Sequence, residues 1–242
     1  PEPWRRAYKV WIDEDRHARA HASLSGERGR RIGERLGIDA ARAAECVACH
    51  GTPEGLRHPK TFDVADGVSC ELCHGAAVRW LGEHTKPGWK DLQPSEKAAF
   101  GFRDLAAPAA RAEACVGCHV GGPGKEITHA MMAAGHPPLG FDGSYFDRMP
   151  PLWRDDDPEA AGLAAWTASA RADAKAHLLR AARQGEAGWP DFAAFDCYAC
   201  HHAPYAEGRY QGGSGGRPGD LPLDLAGLEV WARAAGAAPP GK

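Results

Sequence analysis

Cys-x-x-Cys-His occurs four times in this chain: CVACH at Cys46 to His50, CELCH at Cys70 to His74, CVGCH at Cys115 to His119 and CYACH at Cys197 to His201. Two thiols three residues apart, with an imidazole directly behind the second, form the attachment pattern of c-type haem. The spacing answers to the chemistry. Two sulfurs must reach two vinyl groups on one porphyrin edge while the next side chain comes up beneath the iron. The motifs use all eight cysteines, Cys46, Cys49, Cys70, Cys73, Cys115, Cys118, Cys197 and Cys200, so none is left for a disulfide or a free reactive thiol. A single such motif could be half of a zinc ribbon or a redox dithiol, but paired zinc knuckles do not place His after the second Cys every time. Four covalently bound haems, each with its iron, are therefore expected.

The motif makes His50, His74, His119 and His201 the proximal iron ligands. Eight histidines remain: His17, His21, His58, His84, His129, His136, His177 and His202. Imidazole is a strong iron ligand, and such an excess in a small chain points to bis-histidine coordination. Methionine is the rival sixth ligand, but only Met131, Met132 and Met149 are available. His17, His84, His129 and His136 sit in segments built around them, His177 lies on a mostly apolar helical face, and His202 is placed to serve a neighbouring haem rather than its own. These six are the candidate distal ligands, whereas His21 and His58 read as ordinary hydrogen-bonded or solvated histidines.

Four haems leave only about sixty residues of protein for each, in a chain whose length fits one or two ordinary domains. With 30 Gly and 19 Pro in 242 residues, the composition suits short helices and loops around flat apolar plates better than a large aliphatic core. The expected fold class is mainly α with extensive loops, wrapped around four closely packed haems, with little or no sheet. The formal charge of -3 becomes more acidic once haem propionates are counted, and the basic residues are scattered, which argues against nucleic acid as a partner. No stretch approaches the length of a transmembrane helix, and no signal-like segment opens the chain.

Several elements must position these groups. Residues 4–38 read as two helices with His17, His21 and Leu24 near one face. The Cys46 and Cys70 motifs follow, each with turn residues after it. From Trp80 to Arg111 the chain reads as irregular, with Pro87, Pro94 and Pro108 as breakers. The run containing THAMMAAGH holds one short helix. Residues 159–184 are the most helical stretch, ending at Gly185. A Gly-, Ser- and Pro-rich connector leads to a final helix, so that 1–210 is the expected haem domain and 211–242 a connector with a peripheral helix.

The Trp11 to Ala20 segment, the pair ECVACH and GVSCELCHGA, the GEH ending at His84, and ACVGCH resemble the tetrahaem cytochrome c-554 family, over roughly the first half of the chain. That group includes an electron acceptor for hydroxylamine oxidation. The chain departs from the pattern in lacking a motif upstream of His17 and having one near its carboxyl end. By the resemblance, His17 is opposite His119, and His177 or one of the THAMMAAGH pair faces His74. The upstream haem that His84 serves is missing, so His84 is assigned to His201. The resemblance also implies a five-coordinate haem at Cys46, with His136 available to close it.

Electron transfer outside the cytoplasm, periplasmic or extracellular, is the expected function, since covalent haem attachment is completed after export. Redox proteins are the expected partners, docking by charge complementarity. One rival is an oxidoreductase acting on a small nitrogen or sulfur compound at an open haem. Another is an electron-transfer subunit of a larger redox complex.

Overall fold

The computed structural model describes residues 3–53, 56, 62–141, 150, 158–186, 188–197, 200–201 and 226–236. The chain is mostly helical, and among the described residues the only extended pairing is an isolated bridge residue at Phe195. Helix α1 spans Pro3–Glu14 and buries Val10 and Trp11, whose indole N–H donates to the Val68 carbonyl at 3.0 Å. Two α-helices form in this stretch, as expected, but His17, His21 and Leu24 fall in 3-10 turns between them rather than on one helical face. Asp15 accepts a hydrogen bond from the His17 backbone N–H and starts a 3-10 turn at Arg16–Arg19, followed by a second at His21–Ser25. An Asx-type cap competes with α-helix for the same backbone groups, and here it turns the chain and sends His17 and His21 to different partners. Helix α2, Glu27–Leu36, ends on left-handed Gly37.

Each described attachment motif closes a helix. Helix α3 is Ala44–His50, α4 is Cys70–His74 and α6 is Pro108–His119. At Cys197 a single turn remains, with the His201 N–H bonded to the Cys197 carbonyl. Residues at i, i+3 and i+4 share one helix face, so both sulfurs and the imidazole point the same way. The Trp80 to Arg111 stretch is more ordered than expected. Pro94 and Pro108 open helices rather than break them, because the missing N–H of proline is harmless in a first turn. Helix α5, Pro94–Ala99, adds a capping box between Gln93 and Glu96.

Helix α7 is His129–Ala134, capped by the Thr128 side chain. Helix α8 runs Pro158–Glu186 and passes through Gly185, where an end was expected. It packs along α6, with Ala165, Ala172 and Ala176 against Ala112, Val116, Val120 and Phe141. Helix α9, Ala226–Ala234, lies against α8 and buries Ala232. The connector before it lies outside the described residues. A second, smaller core joins Leu24, Ala40 and Val47. Both cores rely largely on alanine and valine, which bring helices close together but bury little apolar surface per residue. No helix among the described residues is long and apolar enough to cross a membrane.

One ion pair braces the segment behind His74. Lys97 and Asp104 meet at 2.7 Å with side chains only 13% and 11% exposed. Burial pushes the Asp104 carboxyl up, but the Lys97 hydrogen bond and charge outweigh it and hold the group below its ordinary value. Replacing Lys97 with alanine is expected to lower unfolding stability by about 2 kcal/mol at neutral pH, read as a drop in the urea midpoint. A depressed carboxyl contributes stability above its unfolded value of about 4 and loses it as pH falls through the folded value. The wild type should therefore converge on the variant only in strong acid.

Candidate haem-binding centre

Three of the attachment motifs open into one connected cavity of about 2240 Å³. Cys46, Cys49 and His50, Cys70, Cys73 and His74, and Cys115, Cys118 and His119 all line it, together with His17, His84 and His136. A single ligand pocket is ordinarily about 300–1,000 Å³, so this space is the size of several large cofactors. The thiols suit an apolar guest. Burial pushes Cys73 up to about 11 and Cys115 up to about 12, keeping both neutral. The Cys118 sulfur shares a hydrogen bond with Cys49 and accepts one from Lys125 Nζ at 3.2 Å. The Cys49 partnership pulls Cys118 down and raises Cys49 in turn.

The histidines are set up as metal ligands are. In His17, His50, His74, His84 and His136 the Nδ1 nitrogen is tied down by a hydrogen bond, the arrangement that fixes a ligand's tautomer and orientation. His17 Nδ1 donates to Asp15 at 2.9 Å, His74 Nδ1 to the Arg103 carbonyl at 2.9 Å, His84 Nδ1 to Leu81 at 2.6 Å and His136 Nδ1 to Pro137 at 2.8 Å. His50 Nδ1 reaches the Ala20 carbonyl at 3.2 Å and the Ser23 hydroxyl at 3.0 Å. Burial lowers His50 and His74, and burial together with the nearby His17 brings His119 down to about 4. Neutral imidazole is the form that binds metal. His17 moves the other way because the Asp15 hydrogen bond raises it.

Three pairs of rings face one another at a common separation. His17 and His119 have centroids 6.2 Å apart, His50 and His136 are 6.3 Å apart, and His129 and His201 are 6.1 Å apart. Two imidazoles bound to one metal from opposite sides, each at about 2 Å, place their centroids about 6 Å apart. The residues present thus fit iron held between paired imidazoles. The first two pairs are near perpendicular, at 87°, and the third is inclined at 28°.

The ring placements differ in part from the pairing that the resemblance implies. His129, rather than His84, stands opposite His201. His136 stands 6.3 Å from His50, on the side that the resemblance left open. Neither His177 nor a THAMMAAGH histidine faces His74: His177 Nε2 lies 3.6 Å from Asp173, and the other two rings are the partners of His50 and His201. His17 does stand opposite His119. His21 serves a structural bond to the Ala41 carbonyl at 2.9 Å. His58 and His202 lie outside the described residues.

Sequence reasoning did not find Asp15, Phe102 or Lys125. The Asp-x-His spacing at Asp15 and His17 was the available signal, since an aspartate two residues before a histidine can cap the turn and hold the ring together. Gly67 completes that support. Its φ is +67°, and a Cβ there would stand 2.6 Å from the His17 carbonyl oxygen, which accepts from the Val68 N–H at 3.0 Å. The carboxylate on His17 has an electronic effect as well. Asp15→Asn keeps the capping oxygen but removes the charge that would make the imidazole a stronger donor to an iron bound between His17 and His119. The potential of that centre is expected to rise by about 60 mV, a tenfold change for a one-electron couple, with the others unmoved in a potentiometric titration.

A helical scaffold whose helix ends carry paired thiols and imidazoles, over a cavity spanned by facing histidines, defines the class of c-type cytochromes. Residues 4–75, which cover α1 to α4 and the first two motifs, match the family described as cytochrome c554 and c-prime. The match supports a c-type cytochrome of that family, with covalently bound haem iron and haem-based electron transfer as its general chemistry. No curated protein and no solved structure matches the chain.

Proposed function

We propose that the chain carries four haem c groups and relays electrons between redox proteins outside the cytoplasm. Cys46 and Cys49, Cys70 and Cys73, Cys115 and Cys118, and Cys197 and Cys200 would hold the porphyrin edges. His50, His74, His119 and His201 would be proximal ligands, and His136, His17 and His129 the distal ligands of three of them. The observation that carries the reading is the repeated separation of 6.1–6.3 Å between facing rings. The bound groups supply one-electron exchange between ferric and ferrous iron, and paired imidazoles let it proceed with little ligand rearrangement.

The chain's own residues support a relay. Cys49 and Cys118 share a hydrogen bond, so the attachment edges of two motifs meet there. Lys125 and Arg111 line the same cavity and offer positive charge within an apolar space. Arg111 is committed to the Leu105 and Ala106 carbonyls, and Lys125 donates to the Cys118 sulfur. The Cys197 motif is outside this cavity, and its Cys197, Cys200 and His201 are exposed. That exposure suits an exchange point with a partner docking through a small transient interface. Residues 1–210 would act as one haem-bearing unit, with 211–242 a connector and an outer helix.

The test is stoichiometric. Protein matured with the haem-attachment machinery is expected to show four haems per chain by alkaline pyridine spectrum, and an intact mass four haems above the polypeptide. Two or three haems would overturn the assignment. Redox titration should resolve several one-electron steps.

A further inference from the structure

We infer that the surface around Trp189 and Phe192, beside the fourth attachment motif, is a docking site for a redox protein whose exposed haem edge is ringed with lysines. This rests on the four-haem reading with exchange at the Cys197 motif, and it names the partner's chemistry. Two large aromatic side chains stand in the open there, Trp189 at 69% and Phe192 at 59% exposed. Single exposed apolar residues are ordinary on a protein surface, but these two are tied to the redox centre. The Phe192 ring meets His129 edge-on, with centroids 5.9 Å apart, and packs on Phe195 at 5.7 Å. His129 is the ring that faces His201. Asp191 fixes the arrangement, its Oδ1 accepting from the backbone N–H groups of His129 and Ala193, both at 2.8 Å. Trp189 stands two residues before Asp191, within about 7 Å along the backbone, beyond a buried Pro190. Cys197, Cys200 and His201 are exposed on the same stretch.

The charges around this patch select the partner. From Gln184 to His201 the chain has three carboxylates, Glu186, Asp191 and Asp196, and no lysine or arginine. Residues 127–141, which include α7 and its His129, contain no Asp, Glu, Lys or Arg at all. Two basic groups at the borders are engaged elsewhere: Arg183 pairs with Glu126 at 3.2 Å, and Arg35 donates to the Ala134 carbonyl at 3.0 Å. An apolar centre bordered by negative charge is the complement of an apolar haem edge bordered by lysines, and it repels an acidic one. The occupant is thus a cationic electron carrier rather than a second copy of this chain, whose formal charge is -3. Exposed tryptophan is the kind of side chain on which such contacts concentrate their energy, and a transient interface below about 1,200 Å² is enough for electron exchange.

The test uses the fully matured protein, after its haem count has been shown to be four, with mitochondrial cytochrome c as the lysine-ringed probe. One electron passes from a ferrous haem of this chain to the ferric haem of the probe, and no bond or proton moves. In stopped flow, the pre-reduced protein is expected to reduce the probe about tenfold more slowly in about 0.5 M salt than in about 0.02 M, because screening removes the steering. Succinylated probe, its lysines turned into carboxylates, should also react about tenfold more slowly at low salt. The Glu186→Lys/Trp189→Lys double variant should lose a similar factor while its haem count and midpoint potentials stay at the wild-type values. A rate indifferent to salt, to succinylation or to the double variant would overturn this inference and leave the four-haem reading standing, whereas fewer than four haems would overturn the parent reading. Where the double variant does not mature, the salt and succinylation arms decide. A photo-crosslinking amino acid at position 189 then names the occupant. Cross-links to the lysine face of the probe are expected, and cross-links only to residues 202–225 of the same chain or to a second copy would overturn the docking assignment.

Discussion

Alanine at position 17 is expected to turn one haem from low-spin to high-spin and leave the others as they are. In the oxidised protein, electron paramagnetic resonance should show a new high-spin signal worth one iron and the loss of one low-spin signal. The reduced protein should gain one additional carbon monoxide site. The size of the effect follows from the geometry. His17 is the ring opposite His119 at 6.2 Å, and Asp15 holds it there through two bonds, one to the ring and one to the backbone N–H. The low-spin signal that disappears should be one of the strongly anisotropic ones, since the planes of this pair are near perpendicular at 87°. The more nearly parallel His129 and His201 pair, at 28°, should keep its rhombic signal.

Withholding haem is expected to have a larger effect still: the polypeptide made without attachment should not fold cooperatively. The side chains that line the space of about 2240 Å³ would lose the apolar plates they pack against, and protein interiors are held together by such close contact. An ordinary domain has only about 5–15 kcal/mol of net stability from which to absorb that loss. The alanine-rich contact between α6 and α8 cannot compensate. Calorimetry of the haem-free chain should show no unfolding endotherm, and its near-ultraviolet dichroism should be weak. A sharp transition would mean that the protein core carries the fold unaided.

The attachment groups were legible in the sequence because their geometry is local. Cys, Cys and His at i, i+3 and i+4 need only one turn of helix to act together, and each described motif has that turn. The mainly helical fold was legible for a related reason, since the spaces between motifs carry helical patterns. Distal partners were harder. His136 meets His50 and His129 meets His201 only after the chain has crossed the molecule, and no short-range spacing records such a meeting. The resemblance puts His17 opposite His119, where its ring stands at 6.2 Å, and puts His84 opposite His201, where the ring at 6.1 Å is that of His129; the role of His84 in the resembled pattern depends on a motif this chain lacks. Pro94 and Pro108 were read as breakers, although the same residue opens a helix when it occupies the first turn. The bend at Asp15 escaped notice because a short polar cap can outweigh apolar periodicity over a few residues.

The facing rings also describe a topology. His17 with His119, His50 with His136 and His129 with His201 each join points far apart in the chain. A metal bound between them closes a loop as a cystine would. In chain-entropy terms, a loop of roughly one hundred residues removes about 4.7 kcal/mol of freedom from the unfolded chain. On the proposed ligation, the fasteners of this molecule would be coordinate bonds rather than sulfur–sulfur bonds. The loops from His17 to His119 and from His50 to His136 overlap, and the loop from His129 to His201 begins before the second has closed. Each loop overlaps the next, so with all three closed the constraint would run without a break from His17 to His201, and losing the middle linkage, His50 with His136, would leave the residues between His119 and His129 outside any loop.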